Sequence, residues 1–233
     1  MAGVLRPGGD EVPRYRTLND DEVRAFWTKV DSAKMADATK LGLKLLLVTA
    51  QRRGEITAAR WPHFDFDKAV WTIPAEVSKN GKEHKVPLSP LATQILTELR
   101  GTTGDRTHVL ASQHSIQKPD SSYSERVLSR AVRENEEHFG IAHFTPHDLR
   151  RTAASMMTSI GVPRLHVEKV LNHTLSDIAE VYDRHDYFDE KKVALNRWAE
   201  HLADVIANKR PKVVPLRSSK SSDQVDSPRQ VGA

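Results

Sequence analysis

The sequence predicts an α+β fold that is mostly helical, with one small antiparallel sheet. Three observations predict it. Apolar residues recur at helical spacing in long segments, as at Leu41, Leu45 and Val48. One stretch breaks that pattern: 69–74 and 85–88 read as short strands around Lys79-Asn80-Gly81-Lys82, whose Asn-Gly pair is a strong turn signal. No apolar run is membrane-sized; the longest, 41–48, is interrupted by Lys44 and falls far short of the roughly 20 residues a span needs.

The elements follow in order. Residues 1–16 are rich in Gly, Pro and Arg without periodicity, and read as a linker or truncated end. Thr17-Leu18-Asn19-Asp20-Asp21-Glu22 supplies capping residues and first-turn acids, so a helix should run to about residue 30. Further helices are expected over about 36–49 and 55–60. After the hairpin, Ser89 and Pro90 open a helix to about residue 99. Residues 101–123 read as loop, with a brief strand at 108–110, and a helix over about 124–137 follows. Thr145 and Pro146 are an N-cap and first helical residue, and Gly161-Val162-Pro163 ends that helix. Shorter helices are expected at about 164–171 and 176–184. A last helix over about 188–207 places Val193, Leu195, Trp198, Leu202 and Ile206 inward or toward a partner. The domain therefore spans 17–207, and 208–233 is a basic tail with the composition of a disordered segment.

Composition narrows the function classes. Hydrophobic residues make up 38% and charged residues 28% of 233, a globular balance. There is no cysteine, which excludes disulfides and thiolate metal sites, and the N-terminus has no signal-peptide core. A cytoplasmic protein without a membrane partner is the expectation. The pI of 9.3 does not by itself indicate nucleic acid. Residues 209–233 hold six Lys/Arg and two Asp, which leaves the rest with 29 basic and 29 acidic residues of the chain's 35 and 31. Only a local basic surface would then bind DNA. No glycine-rich phosphate loop or nucleophile-elbow serine is present, so no nucleotide cofactor is expected.

Four segments carry chemistry: Thr49-Ala50-Gln51-Arg52-Arg53-Gly54-Glu55-Ile56; Ser78-Lys79-Asn80-Gly81-Lys82-Glu83-His84-Lys85-Val86-Pro87-Leu88; Thr145-Pro146-His147-Asp148-Leu149-Arg150-Arg151-Thr152-Ala153; and Leu171-Asn172-His173, with Tyr182 nine positions later. In kind, order and spacing this set resembles the tyrosine recombinase family, which includes phage integrases. Each motif alone is weak; five in order are specific, and the resemblance covers about 17–205. It implies a DNA breaking-rejoining catalytic domain, with catalytic Arg52, Lys79, His147, Arg150 and His173, Tyr182 as nucleophile, and Glu55 in support. The product implied is a 3′-phosphotyrosyl bond on double-stranded DNA at a specific core site, made without metal or ATP. The family acts as a tetramer on two DNA sites and passes its C-terminal segment to a neighbour; an isolated domain as monomer stays open. The family also carries an N-terminal core-binding domain. Only residues 1–16 precede the catalytic part, so the chain reads as an excised domain or fragment. Ala50 and Asn172 stand where glycine is commoner.

The physical logic supports these roles. Cleaving a phosphodiester without metal requires cations for the charge on the phosphorane, and planar guanidiniums bind phosphate oxygens in pairs. His147 and Arg150 are three apart, so they share a helix face, and both are expected in the helix's first turn, where free backbone N–H groups favour anions. Lys79 on a turn can protonate the leaving oxygen. A tyrosine hydroxyl, with a pKa of roughly 10, needs help to attack; the resemblance gives that proton transfer to His147 and a phosphate contact to His173.

Each choice has a competitor. Arg53 adjoins Arg52, Arg151 adjoins Arg150, and Lys82 and Lys85 neighbour Lys79; motif register alone selects. Tyr187 rivals Tyr182, and a tyrosine near a helix end is more often a core residue with a wet hydroxyl. His143 and His147 are four apart but straddle a helix start, poor geometry for zinc. Two other functions stay open: a type IB topoisomerase-like relaxing enzyme, and a DNA-binding relative without activity.

Overall fold

The computed structural model of the chain describes residues 16–111, 122–173 and 185–209. Its centre is α2, Asp37–Thr49, in which every residue from Gly42 to Thr49 is buried. The expected single apolar stripe is therefore too narrow: Leu43, Leu45, Leu46, Leu47 and Val48 cover the whole circumference. A helix apolar all round is one that others surround. Lys44 is compatible because its ammonium reaches Asp31 at 2.6 Å and sits 5.0 Å above the Trp27 ring.

Helix α1, Asp20–Lys29, starts where its signals said. The Asn19 side chain accepts from the Glu22 amide at 2.9 Å, and Glu22 accepts from the Asn19 amide at 3.1 Å. Helix α3, Arg53–Ala58, begins and ends two residues earlier than expected. Arg60 instead forms an isolated bridge to His108, which is all that exists of the strand expected at 108–110.

The sheet has three antiparallel strands in the order β1 (Phe64–Asp65), β2 (Val70–Ile73), β3 (His84–Pro87). Phe64 pairs with Trp71, and Ile73 with His84. The first strand was not expected, because two residues carry no periodicity. The Asn80-Gly81 pair does not close a two-residue hairpin. It lies in a longer connection, 74–83, where Gly81 takes φ +69° and its amide donates to Ser78 O at 3.0 Å.

Helix α4, Pro90–Thr103, lies along α2 and runs four residues past its expected end, because Leu99 and Thr103 are still buried there. The helix expected over 124–137 is two, α5 (Arg126–Glu134) and α6 (Glu136–Phe139). Asn135 makes the break: its side chain accepts from the Lys34 amide at 2.8 Å and donates to Ala131 O at 2.9 Å. Helix α7, Pro146–Ser159, has a capping box between Thr145 and Asp148 and is followed by Gly161 at φ +79°. Helix α8 spans Arg164–Val170. The helix expected at 176–184 lies outside the described residues.

The last described helix, α9 (Phe188–Ile206), packs on α1, α8 and β3, and Trp198 donates to Leu47 O at 3.0 Å. Its buried stripe is Lys191, Ala194, Leu195, Trp198, Ala199, Leu202 and Val205. Val193, expected inward or at a partner, is 58% exposed. Arg16, assigned to the linker, pairs with Glu22 at 2.7 Å and donates to Ala142 O at 3.0 Å.

Candidate active site

Four segment ends meet on one side of α2. The C-terminus of α2 turns through Ala50, which takes a left-handed φ of +55°. This aims the chain into α3 and presents Arg52 as its N-cap residue. The start of α7 brings in His147 and Arg150, the 74–83 connection brings in Lys79, and the turn after α8 brings in Asn172 and His173. Ala50 and Asn172 both have positive φ, +55° and +49°. That is the physical reason glycine suits both positions.

Arg150 is 4% exposed and held by main chain on two sides. Its Nη1 donates to Ala50 O at 2.7 Å, and its Nη2 to Leu171 O at 2.5 Å and toward His173 Nε2 at 3.4 Å. Burial, then the neighbouring Arg52 guanidinium, pulls its pKa down to about 10, against the opposing pull of Glu55 and Glu168. Arg52 donates to Glu55 at 3.2 Å and to Asn172 O at 3.2 Å, while its amide reaches Glu55 at 2.9 Å. Glu55, 2% exposed, is thus a buried counter-charge for two arginines.

These groups border an open cleft of 710 Å³, lined among others by Arg52, Glu55, Lys79, His147 and Arg150. Lys79 and His147 are exposed on its rim. Partial burial, then the Arg151 and Arg150 charges, lower the His147 pKa and so favour its neutral form. His147 is the second residue of α7 and Arg150 the fifth, so only His147 lies in the first turn.

Geometry also separates the rivals. Arg151 pairs with Asp148 at 3.1 Å, outside the cleft lining. Arg53 does line the cleft, but it donates to Ser129 Oγ at 3.0 Å and lies 3.5 Å from Glu125. Lys85 is drawn toward Glu83 at 3.9 Å on β3. Tyr187 lies under Lys169, whose Nζ is 4.2 Å from the ring centroid, and meets the His185 ring edge-on. His143 bonds Glu136 at 2.9 Å instead of turning toward His147. Tyr182 lies outside the described residues.

Two contributors were missed by sequence reasoning. Glu168 accepts from His173 Nδ1 at 2.5 Å, which leaves Nε2 facing Arg150. Gln51, fully buried, ties Thr49 O at 2.8 Å to Val170 O at 3.0 Å, and so joins the α2 end to the α8 end. Glu168 lies five residues before His173, a spacing visible in the sequence but without a motif.

The sequence profile of the Phage integrase family matches residues 16–188. The chain belongs to the phage integrase family. Among its relatives, the integrase of Enterobacteria phage P4 is 26% identical over 235 residues, covering 94% of this chain and 52% of that protein. This integrase-family chain spans about half the length of the sequence relatives it matches. Two solved structures share its fold. The integrase from mycobacterium phage Brujita aligns with TM-score 0.61 at 16% identity, over 87% of this chain and 67% of that one. A lambda integrase dimer bound to a COC′ core site aligns with TM-score 0.56 at 20% identity, over 70% of this chain and 59% of that one. The expected fold class, a mostly helical tyrosine recombinase catalytic domain with a small antiparallel sheet, is the one this integrase-family chain has.

Proposed function

We propose that this chain is the catalytic part of a site-specific recombinase that cleaves and rejoins strands of duplex DNA at a core site through Tyr182. The observation that carries the reading is the convergence of Arg52 and Arg150 in one cleft with Lys79 and His147. Two guanidiniums anchored by buried partners are preorganised for a phosphate whose charge grows in the transition state.

In the proposed step the Tyr182 hydroxyl oxygen bonds to phosphorus as the P–O5′ bond breaks. The phenol proton passes to neutral His147, and Lys79 gives a proton to O5′. His173, oriented by Glu168, contacts a phosphate oxygen beside Arg150. The products are a 3′-phosphotyrosyl ester and a free 5′-hydroxyl. Attack by a 5′-hydroxyl of the exchanged strand reverses the step, so the bond's energy is kept and neither metal nor ATP is used. Two duplexes held by four copies is the assembly expected of the family, and one solved relative is a lambda integrase dimer on its DNA core site.

Covalent trapping tests the reading. The chain is incubated with a pool of nicked duplexes randomised at the core, and adducts are resolved on a denaturing gel and sequenced. The expected result is an adduct enriched in one core sequence and absent with Arg150→Ala. Relaxation of a single supercoiled plasmid by a monomer without site preference would instead make the chain topoisomerase-like. Binding of duplex with no adduct from any pool would make it a non-catalytic binder.

A further inference from the structure

Asn172 stands next to His173, at a position where φ is +49°. Asparagine tolerates that conformation better than most residues, so the backbone alone would be served by glycine or asparagine. Its side chain does something glycine cannot. The carboxamide oxygen accepts from Asn80 Nδ2 at 2.9 Å, and the nitrogen donates to Ser78 Oγ at 3.0 Å and toward Asn80 Oδ1 at 3.4 Å. Ser78 Oγ in turn donates to Asn80 Oδ1 at 2.7 Å. Ser78 and Asn80 are the two residues that flank Lys79. The main chain of Asn172 meanwhile accepts from Arg52 Nη2 at 3.2 Å. One residue thus grips both neighbours of the cleft's lysine and, through its carbonyl, the first arginine.

Elsewhere the connection is held by local turn bonds, from the Val77 and Ser78 amides to Pro74 O and from the Gly81 amide to Ser78 O, each at 3.0 Å. Residues 81–83 are exposed, and a Cβ at Gly81 would meet nothing. The strands end at Ile73 and His84, so the ladder does not set where Lys79 sits. We propose that Asn172 is a positioning residue that clamps the Ser78–Asn80 segment to the His173 turn and thereby sets the reach of Lys79 into the cleft. This rests on the reading of Lys79 as the proton donor to O5′. A general acid acts only within hydrogen-bond reach of its target, and misplacement by about 1 Å costs on the order of 100-fold in rate.

The test replaces Asn172 with glycine, which keeps positive φ and removes the carboxamide. Single-turnover cleavage is measured on DNA whose scissile bond ends in 5′-oxygen and on DNA carrying sulfur there, since a thiolate leaves without a proton. Asn172→Gly and Lys79→Ala should both be slowed, roughly 10- to 100-fold for Asn172→Gly, on the oxygen substrate, and both should recover on the sulfur substrate. If Lys79→Ala does not recover, the proton-donor reading fails. If Lys79→Ala recovers while Asn172→Gly is unslowed, or equally slow on both substrates, the positioning role is overturned. Amide hydrogen exchange in the free chain decides the clamp without catalysis: residues 79–82 should exchange faster in Asn172→Gly, and unchanged exchange would overturn it.

Discussion

Lowering the pH from 7.5 to 5.0 should cost this fold about 2 kcal/mol through His84 alone. His84 opens β3, is 5% exposed, and its Nε2 lies 3.3 Å from Val170 O, at the base of the turn that carries Asn172 and His173. Burial, then the Lys191 ammonium, hold its pKa down at about 3; the contact with Val170 O pulls the other way, and Arg150 and Arg52 add smaller downward pulls. The unfolded chain protonates His84 near pH 6.5 and the folded chain only near 3, so the unfolded state binds the extra proton between them. Stability is therefore full above about pH 6.5 and falls as the pH drops toward 3. At pH 5.0 the gap from the unfolded pKa is about 1.5 units, and each unit is worth about 1.4 kcal/mol. The assay is urea unfolding at pH 7.5 and 5.0, followed by tryptophan fluorescence, for wild type and His84→Gln. Glutamine can still donate to Val170 O but cannot titrate. Losses from carboxylates and from His63 and His147 are common to both proteins and cancel. Wild type should lose about 2 kcal/mol more than the variant, a midpoint difference of roughly 0.7–1 M urea. Equal losses would refute the assignment of His84 as a buried neutral imidazole.

Three further outcomes follow from the cleft. Glu55→Gln removes the buried counter-charge between Arg52 and Arg150, and should cost about 2–3 kcal/mol of unfolding free energy together with most of the cleavage rate; urea unfolding and single-turnover kinetics measure the two. Glu168→Gln leaves the fold within about 1 kcal/mol but frees the His173 ring, and should slow strand cleavage roughly 10-fold. Arg150→Lys keeps a charge but cannot span Ala50 O and Leu171 O, whereas Arg151→Lys can keep its pairing with Asp148. Adduct formation should be lost in the first and retained in the second, and the opposite pattern would shift the motif register by one.

Local signals gave the helix starts, because caps are written in adjacent residues: Asn19 with Glu22, and Thr145 with Asp148. The ends were harder. Thr103 continues α4 because it is buried against other elements, and Asn135 breaks a helix because Lys34, about a hundred residues away, offers it a partner. The two-residue strand β1 has too few residues for any alternation to register. For the site, residue types and order brought Arg52, Lys79, His147, Arg150 and His173 forward, and the fold gathers the first four at one cleft with His173 against Arg150. What order could not convey was why glycine is the commoner residue at positions 50 and 172, and what Asn172 does in its place. Positive φ answers the first part, and the Asn172 carboxamide bonded to Ser78 and Asn80 answers the second. Glu168 was invisible because its role depends on how α8 ends.

The central claim is that Tyr182 exchanges a DNA phosphodiester for its own ester. Its most direct test is to digest the trapped adduct with trypsin and locate the nucleotide by mass spectrometry. Cleavage after Arg184 separates a peptide containing Tyr182 from one, 185–191, containing Tyr187. The account predicts the nucleotide mass on the Tyr182 peptide, and no adduct at all in Tyr182→Phe. A nucleotide on the 185–191 peptide, or an adduct that persists in Tyr182→Phe, would contradict it.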